Sequence, residues 1–154
     1  MHMELPNIFT TEVSQGFLDR INKLTAASQP LWGKMNVAQM LAHCCVTYEM
    51  IYENKHKAPG GFGKLMLKLF VKPIVVTTKT YSKNSRTAPA FLIVDERIFE
   101  LEKKRLMQFI TQTQQKGEAF FDGKESLSFG KLSSNEWNNM FYKHLNHHLS
   151  QFGV

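Results

Sequence analysis

The stretch from Ser133 to Phe152 constrains the fold most. Trp137, Met140, Phe141, Leu145, Leu149 and Phe152 recur at the three- and four-residue spacing of one helix face. Ser133 with Glu136 forms the pattern of a capping box that starts this helix, and Phe152-Gly153 reads as its end. His144 and His148 fall near the middle of the apolar stripe, one turn apart, with Cβ atoms about 6 Å from each other. A helix of this kind must bury its apolar face, so it carries two imidazoles into the core with it. Each buried ring nitrogen then needs a partner, because an unmet buried polar group costs about 1–3 kcal/mol. A divalent metal answers both residues at once, and His-x-x-x-His on a helix is a recurrent zinc arrangement. The alternative is a pair of core histidines bonded to backbone or water. His147 points to the edge of the stripe and reads as a solvent-facing group or as support for a ligand. Gln151, three residues past His148, reads as an orienter of a ligand or a bound water.

A third ligand is sought among the remaining histidines. His2 stands at a terminus expected to fray, and His56 lies in a Lys55-His56-Lys57 run that reads as a solvated loop. His43 remains. It lies in a helical pattern from Val37 to Ile51, capped by Asn36 and apolar around most of its circumference, so packing on two sides is expected. Val37, Met40, Leu41, Cys44, Tyr48 and Ile51 form its main stripe. His43 flanks that stripe beside Asn36, Thr47 and Met50, a mixed face suited to a polar pocket.

Two further helices are expected. One runs from about Thr11 to Leu24, with Val13, Phe17, Ile21 and Leu24 inward and Thr10 as its cap. The other runs from about Asp95 to Gln115, with Ile98, Phe99, Leu101, Leu106, Phe109 and Ile110 inward and Gly117 as its stop. The connection between the second and third of these four helices, about Asn54 to Val94, carries Lys55, Lys57, Lys64, Lys68, Lys72, Lys79, Lys83 and Arg86 without one Asp or Glu. Those eight positive charges against a net charge of +6 leave the rest of the chain at −2. Gly63 to Val71 reads as a short amphipathic helix with Leu65, Met66, Leu69 and Phe70 available to pack, and Thr77 to Pro89 as an extended or irregular loop. The segment suits a solvated face, a lid whose lysines Lys64 and Lys68 draw an anion to the histidines, or a nucleic-acid or membrane-surface contact. Charge runs favour the first reading, and no DNA-reading motif supports the last.

With 154 residues, 43% of them hydrophobic, nine glycines and five prolines, the chain suits a single domain over residues 1–154. No stretch approaches the ~20 apolar residues that span a membrane, and the first residues lack the pattern of a signal peptide, so a cytoplasmic protein is expected. Cys44 and Cys45 are adjacent on one helix, diverge by about 100°, and read as reduced, buried small residues.

The segments Pro30 to Cys44, Phe129 to Leu132 and Tyr142 to Val154 resemble a bacterial family of unknown function within the DinB-like (DinB/YfiT) superfamily, and the similarity extends over nearly the whole chain. The resemblance implies an all-α four-helix bundle in which one histidine of the second helix and a His-x-x-x-His pair of the last hold a divalent metal. Here the matching positions are His43, His144 and His148. That superfamily mixes thiol-dependent transferases and isomerases, damage-induced proteins and members without assigned activity, so it implies no single reaction.

The resulting expectation is an all-α four-helix bundle with a short extra helix in the connection between helices 2 and 3. It encloses a mononuclear site of His43, His144 and His148, with Gln151, His147, Thr47 and Asn36 as pocket candidates and no catalytic residue assigned. Zinc or nickel suits three imidazoles, and iron or manganese is compatible. Three neutral ligands leave room for water and substrate, as in a catalytic site: the ion can acidify a water or bind a substrate thiol as thiolate. A metal-dependent hydrolase or a thiol-dependent transferase is expected, acting on a small molecule that is anionic or a thiol. The alternative is a non-catalytic metal-binding or stress-response bundle that acts through ligand or protein binding. A homodimer is expected, and nucleic acid is not.

Overall fold

The computed structural model describes residues 4–154, so His2 lies outside the described residues. The chain is mostly helical. In order come α1 (Thr11–Asn22), α2 (Val37–Tyr52), α3 (Gly61–Met66), α4 (Lys72–Val75), α5 (Phe99–Lys116), α6 (Glu118–Phe121) and α7 (Ser134–Gln151). A π-helical stretch, Leu67–Val71, joins α3 to α4, and a 3-10 turn covers Pro89–Phe91. Before α7 lies a two-stranded antiparallel ribbon, β1 (Glu125–Ser126) and β2 (Gly130–Lys131), with Ser126 opposite Gly130. The sequence reading did not anticipate the ribbon, α6 or the 3-10 turn.

Helix ends follow the local chemistry. Thr10 accepts from the Val13 amide, and Asn36 with Gln39 and Ser133 with Glu136 close reciprocal capping boxes. Helix α5 stops at Gly117, whose φ of 75° is one that a side chain disfavours.

Helix α2 is buried from Met40 to Glu49 because it packs on α5 on one side and α7 on the other, while α1 touches α5 and α7. Tyr48 forms the centre of this arrangement. Its ring stacks on Phe109 of α5 at 5.6 Å and on Phe141 of α7 at 5.2 Å, with interplanar angles of 8° and 3°. Three helices are thereby set at fixed spacing near the turns that carry His43 and His144. Cys44 and Cys45 are both free and buried.

Helix α5 departs from the expected pattern. It begins at Phe99 rather than near Asp95, and Ile98 and Leu101 are exposed, at 68% and 51%. The inward row is instead Phe99, Glu102, Leu106, Phe109, Ile110 and Thr113. Glu102 can take the inner position because Arg105 lies 2.7 Å away and Arg97 3.5 Å away. Arg105 also pairs with Glu49 of α2, so the buried carboxylates are matched by cations. His56 is not simply solvated: its Nε2 lies 2.9 Å from Glu49 Oε2.

The basic connection also folds otherwise than expected. Leu65, Leu69 and Phe70 do not pack inward but stand 50–65% exposed. Lys64 instead turns to Glu125 at 3.3 Å, Lys72 to Glu136 at 3.0 Å, and Lys68 lies against Gly130. The end of α4 is held by α7. The Lys143 ammonium donates to the carbonyls of Ile74, Val75 and Thr77 at 2.6–3.1 Å, and the Asn139 amide donates to Val76. A buried cation thus satisfies carbonyls that the helix end leaves open. Beyond it, the chain from Thr77 to Ala88 is irregular, as expected.

The observed facing of α5 makes a simple test. Leu101→Ser should change unfolding free energy by no more than about 0.5 kcal/mol, whereas Leu106→Ala should cost about 2–5 kcal/mol in urea denaturation. Comparable losses from both would show that the helix is turned the other way.

Candidate metal centre

Helix α7 brings His144 and His148 to one side, and α2 brings His43 to meet them. One ring nitrogen from each lies within 4.8 Å of the other two, a group that could hold a metal ion. The ring centroids are 4.4–4.9 Å apart. The closest approach is between Nε2 of His43 and Nε2 of His144, at 2.9 Å. His43 and His148 are buried, and His144 is partly so.

The far nitrogens are individually engaged. Nδ1–H of His43 donates to the Phe91 carbonyl at 2.8 Å, which leaves the Nε2 lone pair directed at the cluster. Nδ1–H of His148 donates to Gln151 Oε1 at 2.8 Å, and the Gln151 amide nitrogen donates to the Trp32 carbonyl at 2.8 Å. Because Trp32 offers only an acceptor there, the Gln151 oxygen must face His148, and His148 must hold its proton on Nδ1. Nδ1 of His144 lies 3.3 Å from Thr47 Oγ1, a hydroxyl that can donate or accept.

A loop makes the Gln151 position possible. Leu31 donates its amide to the Gln151 carbonyl at 2.7 Å, and Gly33 follows with φ at 85°. A β-carbon at Gly33 would stand 2.5 Å from the Gln151 amide nitrogen, so the loop passes too close for any side chain. The ring of Phe91 packs on His43 and His144, at 5.5 and 5.8 Å.

Other candidates fall around this group. Gln151 and Thr47 bond histidine rings directly. His147 bonds neither; its ring lies between Trp32 and Tyr81, each at 5.8 Å, and 5.0 Å from His148. Asn36 is exposed, and its side chain is taken up by the capping box. Lys64 and Lys68 sit beside the ribbon near the start of α7, and from Glu136 to His144 the helix rises about 12 Å. These two lysines therefore do not line the histidine group. The later part of the connection does approach it, through Tyr81, Lys83 and Phe91. Phe91, Trp32 and Gly33 escaped the sequence reading because two act through backbone carbonyls and the third through its missing side chain. The one available signal was the Trp32-Gly33 pair, a glycine closing a loop just before a helix.

Burial disfavours charge on all three imidazoles. It pushes His148 down to about 3 and His144 well below the usual histidine value, with the neighbouring rings adding to both. His43 is lowered less, since burial is opposed by its bond to Phe91. His147 is lowered by burial and by Lys83.

The protein is thus mostly helical, with three imidazoles gathered between two of its helices. Over residues 10–153 it matches the model of the family described as protein of unknown function (DUF1569), and the chain belongs to that family. No curated protein and no solved structure matches it.

These shifts set a pH dependence. A histidine whose folded pKa lies below its unfolded value leaves the unfolded state with more protons between the two. Stability is then full above about pH 6.5 and falls as the pH drops toward 3. His148 alone should cost the metal-free protein about 2 kcal/mol at pH 5, measured by urea unfolding at pH 7.5 and 5. His148→Leu should flatten that slope; an unchanged slope would contradict the assignment.

Proposed function

We propose that this chain is a metal-dependent enzyme of the DinB/YfiT-like four-helix-bundle type, in which His43, His144 and His148 hold one divalent ion through their Nε2 atoms. The observation that carries this reading is the set of partners on the opposite nitrogens. Phe91 and Gln151 each fix a proton on Nδ1, so two lone pairs are aimed at one place, and Thr47 accommodates either tautomer of His144. Metal–nitrogen bonds of about 2.1 Å separate adjacent imidazole nitrogens by about 3.0 Å at right angles and about 3.4 Å at tetrahedral ones. The 2.9 Å approach of His43 and His144 is compatible with the first. Zinc or nickel suits the donors, with iron or manganese also compatible. Bound there, a divalent ion would supply Lewis-acid activation of a substrate carbonyl or thiol.

The chain's own residues surround that place. Phe91 covers one side of the histidines. On the His147 side lies a cavity of about 180 Å³ lined by Trp32, Thr78, Thr80, Tyr81, Lys83 and His147 among others, with no Asp or Glu in its wall. The Lys83 ammonium stands 4.2 Å over the Trp32 ring. Such a wall suits a small anionic substrate. The buried carboxylates Glu49 and Glu102 are both tied to Arg105 on α5. Neither carboxylate is free to act as a general base. Thiol-dependent transfer and hydrolysis both fit, because a divalent ion lowers the pKa of a bound water as well as that of a bound thiol.

Equilibrium dialysis with zinc should give about one ion per chain. His144→Ala should abolish tight binding, while His147→Gln should retain it; equal losses would place the wrong pair at the ion. Metal removal that leaves helicity and melting nearly unchanged supports the catalytic reading, and unfolding on removal supports a structural metal. Lys83→Gln should weaken a small anionic thiol several-fold and flatten its salt dependence without changing metal content.

A further inference from the structure

The segment from α3 to α4 is amphipathic the wrong way round. On an ordinary surface helix lysines face water and leucines face the core. Here the Lys64 and Lys72 side chains are only 33% and 24% exposed and pair with Glu125 and Glu136 of the body. The side chains standing outward are Phe62 at 76%, Leu65 at 50%, Leu69 at 56%, Phe70 at 65%, Val71 at 36% and Ile74 at 53%. Lys64, Lys68 and Lys72 recur every four residues; Lys64 and Lys72 turn to the ribbon and α7, while Lys68 is exposed, with its ammonium lying near Gly130 of the ribbon. The segment is also fastened: Lys143 and Asn139 of α7 hold the carbonyls of Ile74, Val75, Val76 and Thr77. A fixed helix that presents its apolar side outward is built to be covered.

We infer that this face is covered by the same face of a second copy of the chain, which makes the protein a twofold homodimer through α3, the π-helical stretch and α4. At the exposures above, the outward side chains present on the order of 700 Å² of mostly apolar surface. That exceeds the roughly 300–600 Å² of an ordinary monomer's largest patch and approaches the ~800 Å² per partner of a standard interface. Charge decides between occupants. An anionic membrane needs lysines free at the edge of the apolar face, but Lys64 and Lys72 are turned away from it, and the carboxylates they meet would stand near the lipid headgroups. For a second copy the same internal pairing is favourable, because it neutralises the rim that a twofold axis would otherwise bring against its like. The inference does not depend on the histidine site.

Sedimentation equilibrium of the full chain tests it. The wild type should be dimeric at low micromolar concentration, and Leu69→Lys with Phe70→Lys should be monomeric with unchanged helicity and zinc stoichiometry. Leu65→Gln, a milder change, should weaken association by about tenfold or more. A wild type that stays monomeric at 100 µM (the order of magnitude at which a micromolar dimer saturates), or a double variant that remains dimeric, overturns the inference. So does a monomer that co-sediments with vesicles of phosphatidylglycerol and phosphatidylcholine, since the face then belongs to a membrane.

Discussion

The approach of the His43 and His144 nitrogens to 2.9 Å is the contact that the site depends on. Two lone pairs cannot face each other at that distance inside a protein without a proton or a cation between them. The helices nevertheless hold them there. Tyr48, stacked between Phe109 and Phe141, fixes the spacing of α2 to its neighbours near the turns that carry the histidines. The apolar core therefore does more than stabilise: it sets the separation at which the imidazoles must share something.

Around that contact the polar groups form a directed chain. Trp32 determines which way Gln151 faces, Gln151 determines the His148 tautomer, and Phe91 does the same for His43. Each link uses a carbonyl that can only accept. The loop at Gly33 and the turn at Pro89–Phe91 lie far from α7 in sequence, yet they decide which nitrogens point inward. Lys143 extends the same logic to the basic connection by fastening the end of α4, beyond which Tyr81 and Lys83 come to the cavity beside His147.

Much of this was legible in the sequence where side-chain pattern alone decides. The Ser133 capping box and the stripe from Trp137 to Phe152 mark α7 to within a residue, and the apolar circumference of α2 foretells its central position. His43, His144 and His148 stood out as histidines set on apolar or mixed helix faces. The inward side of α5 was misread because Leu101 is the better hydrophobe, and only its arginine neighbours make Glu102 the buried residue. The inverted helix at Gly61–Val75 was misread for a related reason: periodicity reveals two faces but not which of them meets the body. Backbone carbonyls such as those of Phe91 and Trp32 leave no trace in residue identity.

The central claim is that three imidazoles share one divalent ion. X-ray absorption at the metal edge of the zinc-loaded protein tests it most directly. The account predicts three imidazole nitrogens at about 2.0–2.1 Å with the multiple scattering of histidine rings, completed by lighter donors. A shell containing thiolate sulfur near 2.3 Å, or one with fewer than three imidazoles, would contradict it.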